Sequence, residues 1–171
     1  ISNDETRHYL NGVYLHKTNI EKKTFLSGVA TDSHRLSSSS LEIDPNTNFE
    51  PIILPKKTIF QLISLLEQTD SVIKISNNKS KIKFQLDNAV LTSKVIDGRF
   101  PDYSKVIPRD NDKVLQIKLN EFKNSIERVT TVSSDKKEGV KMNISKDSLQ
   151  LSVNSPNSGE GIENVSVNFN S

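Results

Sequence analysis

Asp32, Ser33 and His34 stand side by side in a chain of 171 residues, and a carboxylate, a hydroxyl and an imidazole are the parts of a nucleophilic site. A small hydrolase built on these three is one reading. Adjacency argues against it: neighbours on an extended strand point to opposite faces, so Ser33 and His34 diverge instead of sharing a proton. The sequence also lacks a Gly-x-Ser-x-Gly strand-to-helix elbow. The other chemistry on offer is grip. Val29-Ala30-Thr31-Asp32-Ser33-His34-Arg35-Leu36 runs from apolar strand to polar turn, and so does Val95-Ile96-Asp97-Gly98-Arg99-Phe100-Pro101-Asp102-Tyr103, which continues to Val106-Ile107-Pro108. Pro101 removes a backbone donor and biases Phe100 to an extended conformation, leaving rings and Val106 outside any regular ladder. If the two segments lie together, Leu36 and Val106 can floor an apolar groove with Arg35 and Lys105 at its rim. A plain interdomain hinge with a satellite apolar cluster fits the same composition equally well.

Other polar groups point to less. His8, His16 and His34 lack the close spacing of metal ligands, and Asp44, Asp87 and Asp97 suit turns. With only six Gly there is no phosphate-cradling loop, so neither metal nor cofactor is expected. Lys56-Lys57 falls at a helix start, where cations oppose the macrodipole unless a polyanion compensates; a solvated helix end is the plainer reading. Lys123 and Arg128 carry the same ambiguity beside Glu121 and Glu127. Arg7-His8-Tyr9 joins a guanidinium to two rings, a composition suited to stacking on bases while touching phosphates.

The elements that must position these residues follow from periodicity. Ile59, Leu62, Ile63 and Leu66 mark a helix within residues 57–68, with Pro55 at its start. Strand-like runs follow at Val72 to Ser76, Ile82 to Leu86 and Ala89 to Ile96. The order then returns: a strand at Val114 to Leu119, an N-cap at Asn120, a helix with Phe122, Ile126, Val129 and Val132 on one face, then strands near Val140 to Ile144, Leu149 to Val153 and Val165 to Phe169. Three further strands, near Tyr9 to His16, Thr24 to Thr31 and Arg35 to Ile43, precede the first helix and read as the tail of an earlier unit. The expected fold is therefore α+β, with strand-helix-three-strand repeats, antiparallel sheets and helices on one face. Two domains are expected, 1–108 without its first strand and helix, and 109–171 as the first half of the next, with Arg109 to Lys113 as linker. Both ends read as cut from something longer.

Composition bounds the rest. Twenty-three Lys and Arg against 21 Asp and Glu give a net charge of +2, far from the balance of proteins that hold nucleic acid by charge alone. There is no Cys, which excludes disulfides and thiolate metal sites and fits a reducing compartment. No apolar run approaches the ~20 residues of a membrane span, and residues 1–8 are too polar for a signal peptide. A soluble, cytoplasmic protein is the expectation.

Taken in order and spacing, Arg7-His8-Tyr9-Leu10-Asn11-Gly12, Val29 to Leu36, Ile53-Leu54-Pro55-Lys56-Lys57, Leu91-Thr92-Ser93-Lys94 and Asp97 to Tyr103 resemble the bacterial DNA polymerase III beta subunit, the replication sliding clamp family. The resemblance covers nearly the whole chain. It implies a non-catalytic, head-to-tail homodimeric ring when full length, with helices lining a channel for double-stranded DNA. It implies a pocket for short apolar motifs of the DNA polymerase catalytic subunit, the clamp loader and other partners, lined here by Leu10, Thr31, Ser33, His34, Arg35, Leu36, Pro101, Lys105 and Val106. By the same resemblance Arg7, His8, Tyr9, Lys56, Lys57 and Lys123 become DNA contacts, and Thr131 and Val132 match an interface between protomers. Burying one Leu and one aromatic side chain in such a pocket supplies ~3 to 6 kcal/mol before ordering costs. Ser33 stands where the family often has Gly, and Lys105 where Arg is frequent, which removes a planar guanidinium fork.

Overall fold

The computed structural model describes residues 1–67, 69–133 and 139–170. The chain divides into two compact units, Ile1–Asp102 and Tyr103–Ser171. The division falls ahead of the Arg109 to Lys113 stretch, which carries no helix or strand.

In the first unit, β1 (Gly12–Ile20), β2 (Lys23–Thr31), β3 (Leu36–Glu42) and β4 (Ile52–Pro55) form an antiparallel sheet in the order β3-β2-β1-β4. Helix α1 (Lys56–Leu66) follows β4 directly, and β5 (Lys74–Asn77), β6 (Lys81–Gln85) and β7 (Val90–Lys94) make a second antiparallel sheet. Apolar alternation on β4 and β6 aims Ile52, Leu54, Ile82 and Phe84 at the same interior, together with Leu86 beyond β6, where Ile59, Leu62, Leu65 and Leu66 of α1 close over them. Each such side chain contributes ~1.5 to 3 kcal/mol on full burial. The stripe differs from expectation by one residue: Ile63 faces outward and Leu65 inward. Apolar residues occupy nearly every phase of α1 (Lys56–Leu66), so packing selects the stripe, which centres on Leu62 and Leu66 and takes Leu65 as its flank. Gln68, the last residue of the expected helix, lies outside the described residues.

The second unit repeats the order. β8 (Val114–Gln116) leads into α2 (Leu119–Val129), then β9 (Lys141–Ile144), β10 (Ser148–Ser155), β11 (Gly159–Ser166) and β12 (Asn168–Asn170). β9, β10 and β11 pair as a meander, and β12 pairs with β8. Leu149, Leu151 and Val153 alternate along β10 and are almost wholly buried under Phe122, Ile126 and Val129 of α2 and under Val132, expected on the same helix face but lying in the 3-10 turn, Thr130–Val132, that follows α2.

Four boundaries are corrected. Tyr9 belongs to a short 3-10 helix, His8–Leu10, and not to a strand; Gly12 starts β1 because its missing side chain lets Leu54 approach, a Cβ there falling 2.3 Å from the Leu54 carbonyl oxygen. Val72 is exposed ahead of β5. The N-cap position of α2 is Lys118 and Asn120 lies inside the first turn, with no side-chain cap bond. The strand expected at Val165 to Phe169 is split, Val165 and Ser166 closing β11 and Phe169 lying on β12. The polar Gly159-Glu160-Gly161 start of β11 carries little strand propensity and is held by its pairing to Ser155, Asn154 and Val153 of β10.

No helix among the described residues is long and apolar enough to cross a membrane.

Candidate peptide and nucleic-acid site

The β2–β3 hairpin closes through residues 32–35, with Thr31 opposite Leu36. Asp32 builds this turn. Its Oδ1 accepts from the backbone amides of His34 and Arg35, both at 3.1 Å, and its Oδ2 accepts from Arg35 Nε at 2.9 Å. The amides and the Arg35 guanidinium hold the Asp32 carboxyl down at about 2, so it is an anion at any ordinary pH and no general base. Thr31 completes the turn, its hydroxyl donating to Arg35 O at 2.8 Å while accepting from the Ser33 amide at 3.1 Å.

Ser33 takes φ +77°, the left-handed region that favours glycine. That conformation turns its hydroxyl to Arg7, whose Nη1 donates to Ser33 Oγ at 2.6 Å. Arg7 Nε in turn donates to Asp4 Oδ2 at 2.8 Å, and the Thr6 hydroxyl and the Arg7 guanidinium hold the Asp4 carboxyl well below the usual carboxylate range. Ser33 Oγ is therefore engaged by a guanidinium and Asp32 by its own turn. The hydrolase reading fails on this geometry: the Asp32 carboxylate is spent on the turn amides and Arg35, Ser33 Oγ accepts from Arg7, and the His34 side chain is exposed at the tip of the hairpin.

A third segment reaches the same place. His8 Nε2 lies 3.1 Å from Asp97 O, and Gly98 passes so close to Tyr9 that a Cβ there would sit 3.2 Å from Tyr9 Cβ. Beyond Gly98, Phe100 is buried and stacks on Tyr14 at 4.9 Å between centroids, and Tyr14 stacks on His16 at 4.4 Å. Burial pushes the Tyr14 hydroxyl up and the His16 imidazole down from their ordinary values. Leu10 and Val29 are buried, Leu36 is half-buried, and Arg35, Ser33, His34 and Pro101 are exposed.

The structure thus joins Arg7 and His8, read as nucleic-acid contacts, to Ser33 and the Asp97 segment, read as part of a peptide groove. Lys56 is close by: its amide donates to Asn11 O at 3.1 Å, satisfying a free donor of the α1 start, and its Nζ donates to Asn3 Oδ1 at 2.7 Å. Lys57 is exposed. The remaining expected residues lie in the second unit. Lys105 ends a 3-10 turn, Tyr103–Lys105, followed by the exposed Val106. Lys123 lies 3.8 Å from Glu127, Thr131 is exposed with its hydroxyl on Arg128 O, and Val132 is spent largely on the core beneath α2. Sequence reasoning missed the His16, Tyr14 and Phe100 stack and the role of Asp4. The i, i+2 spacing of Tyr14 and His16 on β1 was the available signal for the first. Among the described residues, no three His, Asp or Glu side chains gather closely enough to hold a metal ion.

Antiparallel sheets in both units and a strand-helix-strand order that returns from the first unit to the second define an α+β fold of the clamp type. Known proteins agree. A family model described as DNA polymerase III beta subunit, central domain, matches residues 1–102, and one for the C-terminal domain matches residues 104–171. The chain belongs to the DNA polymerase III beta subunit family. It is 39% identical over 170 residues to the beta sliding clamp of Caulobacter vibrioides, covering 99% of this chain and 46% of that protein. A crystal structure of the Caulobacter crescentus beta sliding clamp superposes with a TM-score of 0.96 at 38% identity, covering 100% of this chain and 46% of that one. The sliding clamp of Bartonella birtlesii, solved bound to griselimycin, gives 0.93 at 37% identity, again over 100% and 46%. The chain spans about half the length of the relatives it matches.

Proposed function

We propose that this chain is the part of a DNA sliding clamp that carries the hairpin wall of a peptide-docking pocket together with two of the DNA-facing helices. In the whole protein, a homodimeric ring in the cytoplasm encircles duplex DNA, catalyses nothing itself, and tethers a polymerase catalytic subunit, a clamp loader and other proteins through short apolar motifs. The observation that carries this reading is the convergence of the 7–10 turn, the 32–35 turn and the 97–100 segment on one edge of the first unit, held by Arg7 on Ser33 and His8 on Asp97. This edge carries the half-buried Leu36 beside the exposed Arg35, with Leu10 buried within it. Lys105 and Val106 are the second unit's residues that the resemblance assigns to peptide contact, and Thr131 and Val132 those it assigns to the ring interface. The DNA contacts proposed are Arg7, His8, Tyr9, Lys56, Lys57 and Lys123.

The test is a labelled peptide containing one Leu and one Phe, titrated against the full-length protein and its Leu36→Asp variant by fluorescence anisotropy. Removing one apolar contact worth ~1.5 to 3 kcal/mol weakens binding at least tenfold. Undiminished affinity refutes the docking assignment. Retention of the wild-type protein on linear DNA as firmly as on closed circles refutes the ring.

A further inference from the structure

The outer surface of the β5-β6-β7 sheet is basic in a way the rest of the chain is not. Residues 74–94 hold five Lys and one acidic residue, Asp87, against a chain-wide balance of 23 to 21. Register sorts them by face. Ile82 and Phe84 of β6 point to the core, so Lys81 and Lys83 point away from it. On the same side, Lys94 lies directly opposite Lys81, Thr92 and Ser76 flank Lys83 on either side, and Lys74 pairs with Gln85. All four Lys are exposed and none has an ion pair among the described residues. Like charges directly opposite on a sheet repel, so the pairing of Lys81 with Lys94 costs stability unless an anion sits over it. A shallow recess of about 270 Å³, lined in part by Ser76, Asn78, Lys81, Lys83 and Thr92, opens on this face.

The contrast with the helices matters. Lys56 is bonded to Asn3, Lys123 faces Glu127, and Arg128 is paired with Glu163. Of the cations read as channel-facing, only Lys57 among the helical ones has no such partner among the described residues, whereas four unpaired ammonium groups gather on the sheet. We propose that the outer face of β5-β6-β7 is a second polyanion surface that takes the phosphate backbone of duplex nucleic acid. Lys is depleted at the cores of protein–protein interfaces, and this face offers Val90 as its apolar residue and no ring, so neither an apolar partner nor base stacking is served by it. Point charges with hydroxyls between them suit phosphate, without sequence preference and with strong salt dependence.

A labelled 30-base-pair linear duplex, titrated at several salt concentrations against the wild-type chain and against Lys74→Gln/Lys81→Gln/Lys83→Gln/Lys94→Gln, tests this. The four positions are exposed, and a melting curve no lower than wild type certifies the variant's fold. Neutralisation lowers affinity at least tenfold at low salt and flattens the slope of log K against log salt by about 2 to 3, since each phosphate contact carries about 0.9. Lys57→Gln/Lys123→Gln in the same assay produces the smaller loss. An unchanged affinity and slope in the four-site variant overturns the proposal, as does preferential binding of a poly-glutamate peptide or of single-stranded over duplex DNA. Peptide docking at Leu36 is unaffected by these substitutions, so failure here leaves the clamp reading intact.

Discussion

Replacing Ser33 by glycine and by alanine isolates the backbone conformation at the tip of the hairpin. At φ +77° a side chain costs ~1 to 2 kcal/mol against the left-handed sterics of an L-residue. Glycine removes that cost but loses more unfolded-state freedom on folding, ~0.5 to 1 kcal/mol. Both variants lose the 2.6 Å bond from Arg7, worth ~0.5 to 1.5 kcal/mol and nearer the lower figure because Ser33 is exposed. The bond cancels in the comparison, and Ser33→Gly is left more stable than Ser33→Ala by about 0.5 to 1 kcal/mol, or about 4 °C in a unit of this size. At an ordinary φ the sign is reversed, with alanine ahead of glycine. The bond itself is measured by a double-mutant cycle with Arg7→Met, where a coupling of about 0.5 to 1 kcal/mol is expected. Thermal unfolding followed by far-ultraviolet circular dichroism reads all of these. If Ser33→Ala melts at or above Ser33→Gly, the left-handed conformation does not govern this position and the account of the tip is wrong.

Two further outcomes follow from the same geometry. The Asp32 carboxyl, lowered to about 2, contributes stability that is present above its unfolded value near 4 and is lost as pH falls through 2; its NMR titration midpoint, tracked at the His34 and Arg35 amides, is expected well below 3, and a midpoint of 4 refutes the Asp32 turn. Gly12→Ala places a Cβ 2.3 Å from Leu54 O and 2.9 Å from Ile53 Cγ2, so the β1–β4 pairing must spread; a loss of about 2 kcal/mol or more in urea denaturation is expected, and a neutral substitution contradicts the close approach.

Periodicity made the α2 face legible, because Phe122, Ile126, Val129 and Val132 repeat at helical spacing over a strand whose alternate residues are apolar. It misjudged α1, where Ile59 through Leu66 holds apolar residues at nearly every phase and only packing decides between Ile63 and Leu65. β11 was illegible for the opposite reason: Gly159, Glu160 and Gly161 become a strand only because β10 offers its ladder. In the site, the motif residues themselves were readable, whereas their company was not. No local pattern says that Arg7 reaches Ser33 across 26 positions, or that His8 meets Asp97 across 89. The Lys81 and Lys83 alternation was visible in sequence, but its meaning required the register that sets Lys94 opposite Lys81.

The composition of β3 carries one more consequence. Ser37, Ser38, Ser39 and Ser40 follow one another along an edge strand that pairs only with β2. A slip of one position replaces serine by serine along most of that ladder, so the strand's own alphabet stores almost no information about where it belongs. What fixes the alignment is the Asp32 turn, which counts out the residues between Thr31 and Leu36, supported farther along by the Ser40 hydroxyl on Ser27 and by Lys23 on Glu42, each at 2.8 Å. The hairpin is thus a ruler whose marks lie in the turn. Sequence drift along the serines is tolerated, while a lost residue between Thr31 and Leu36 turns Leu36 to the wrong side of the sheet.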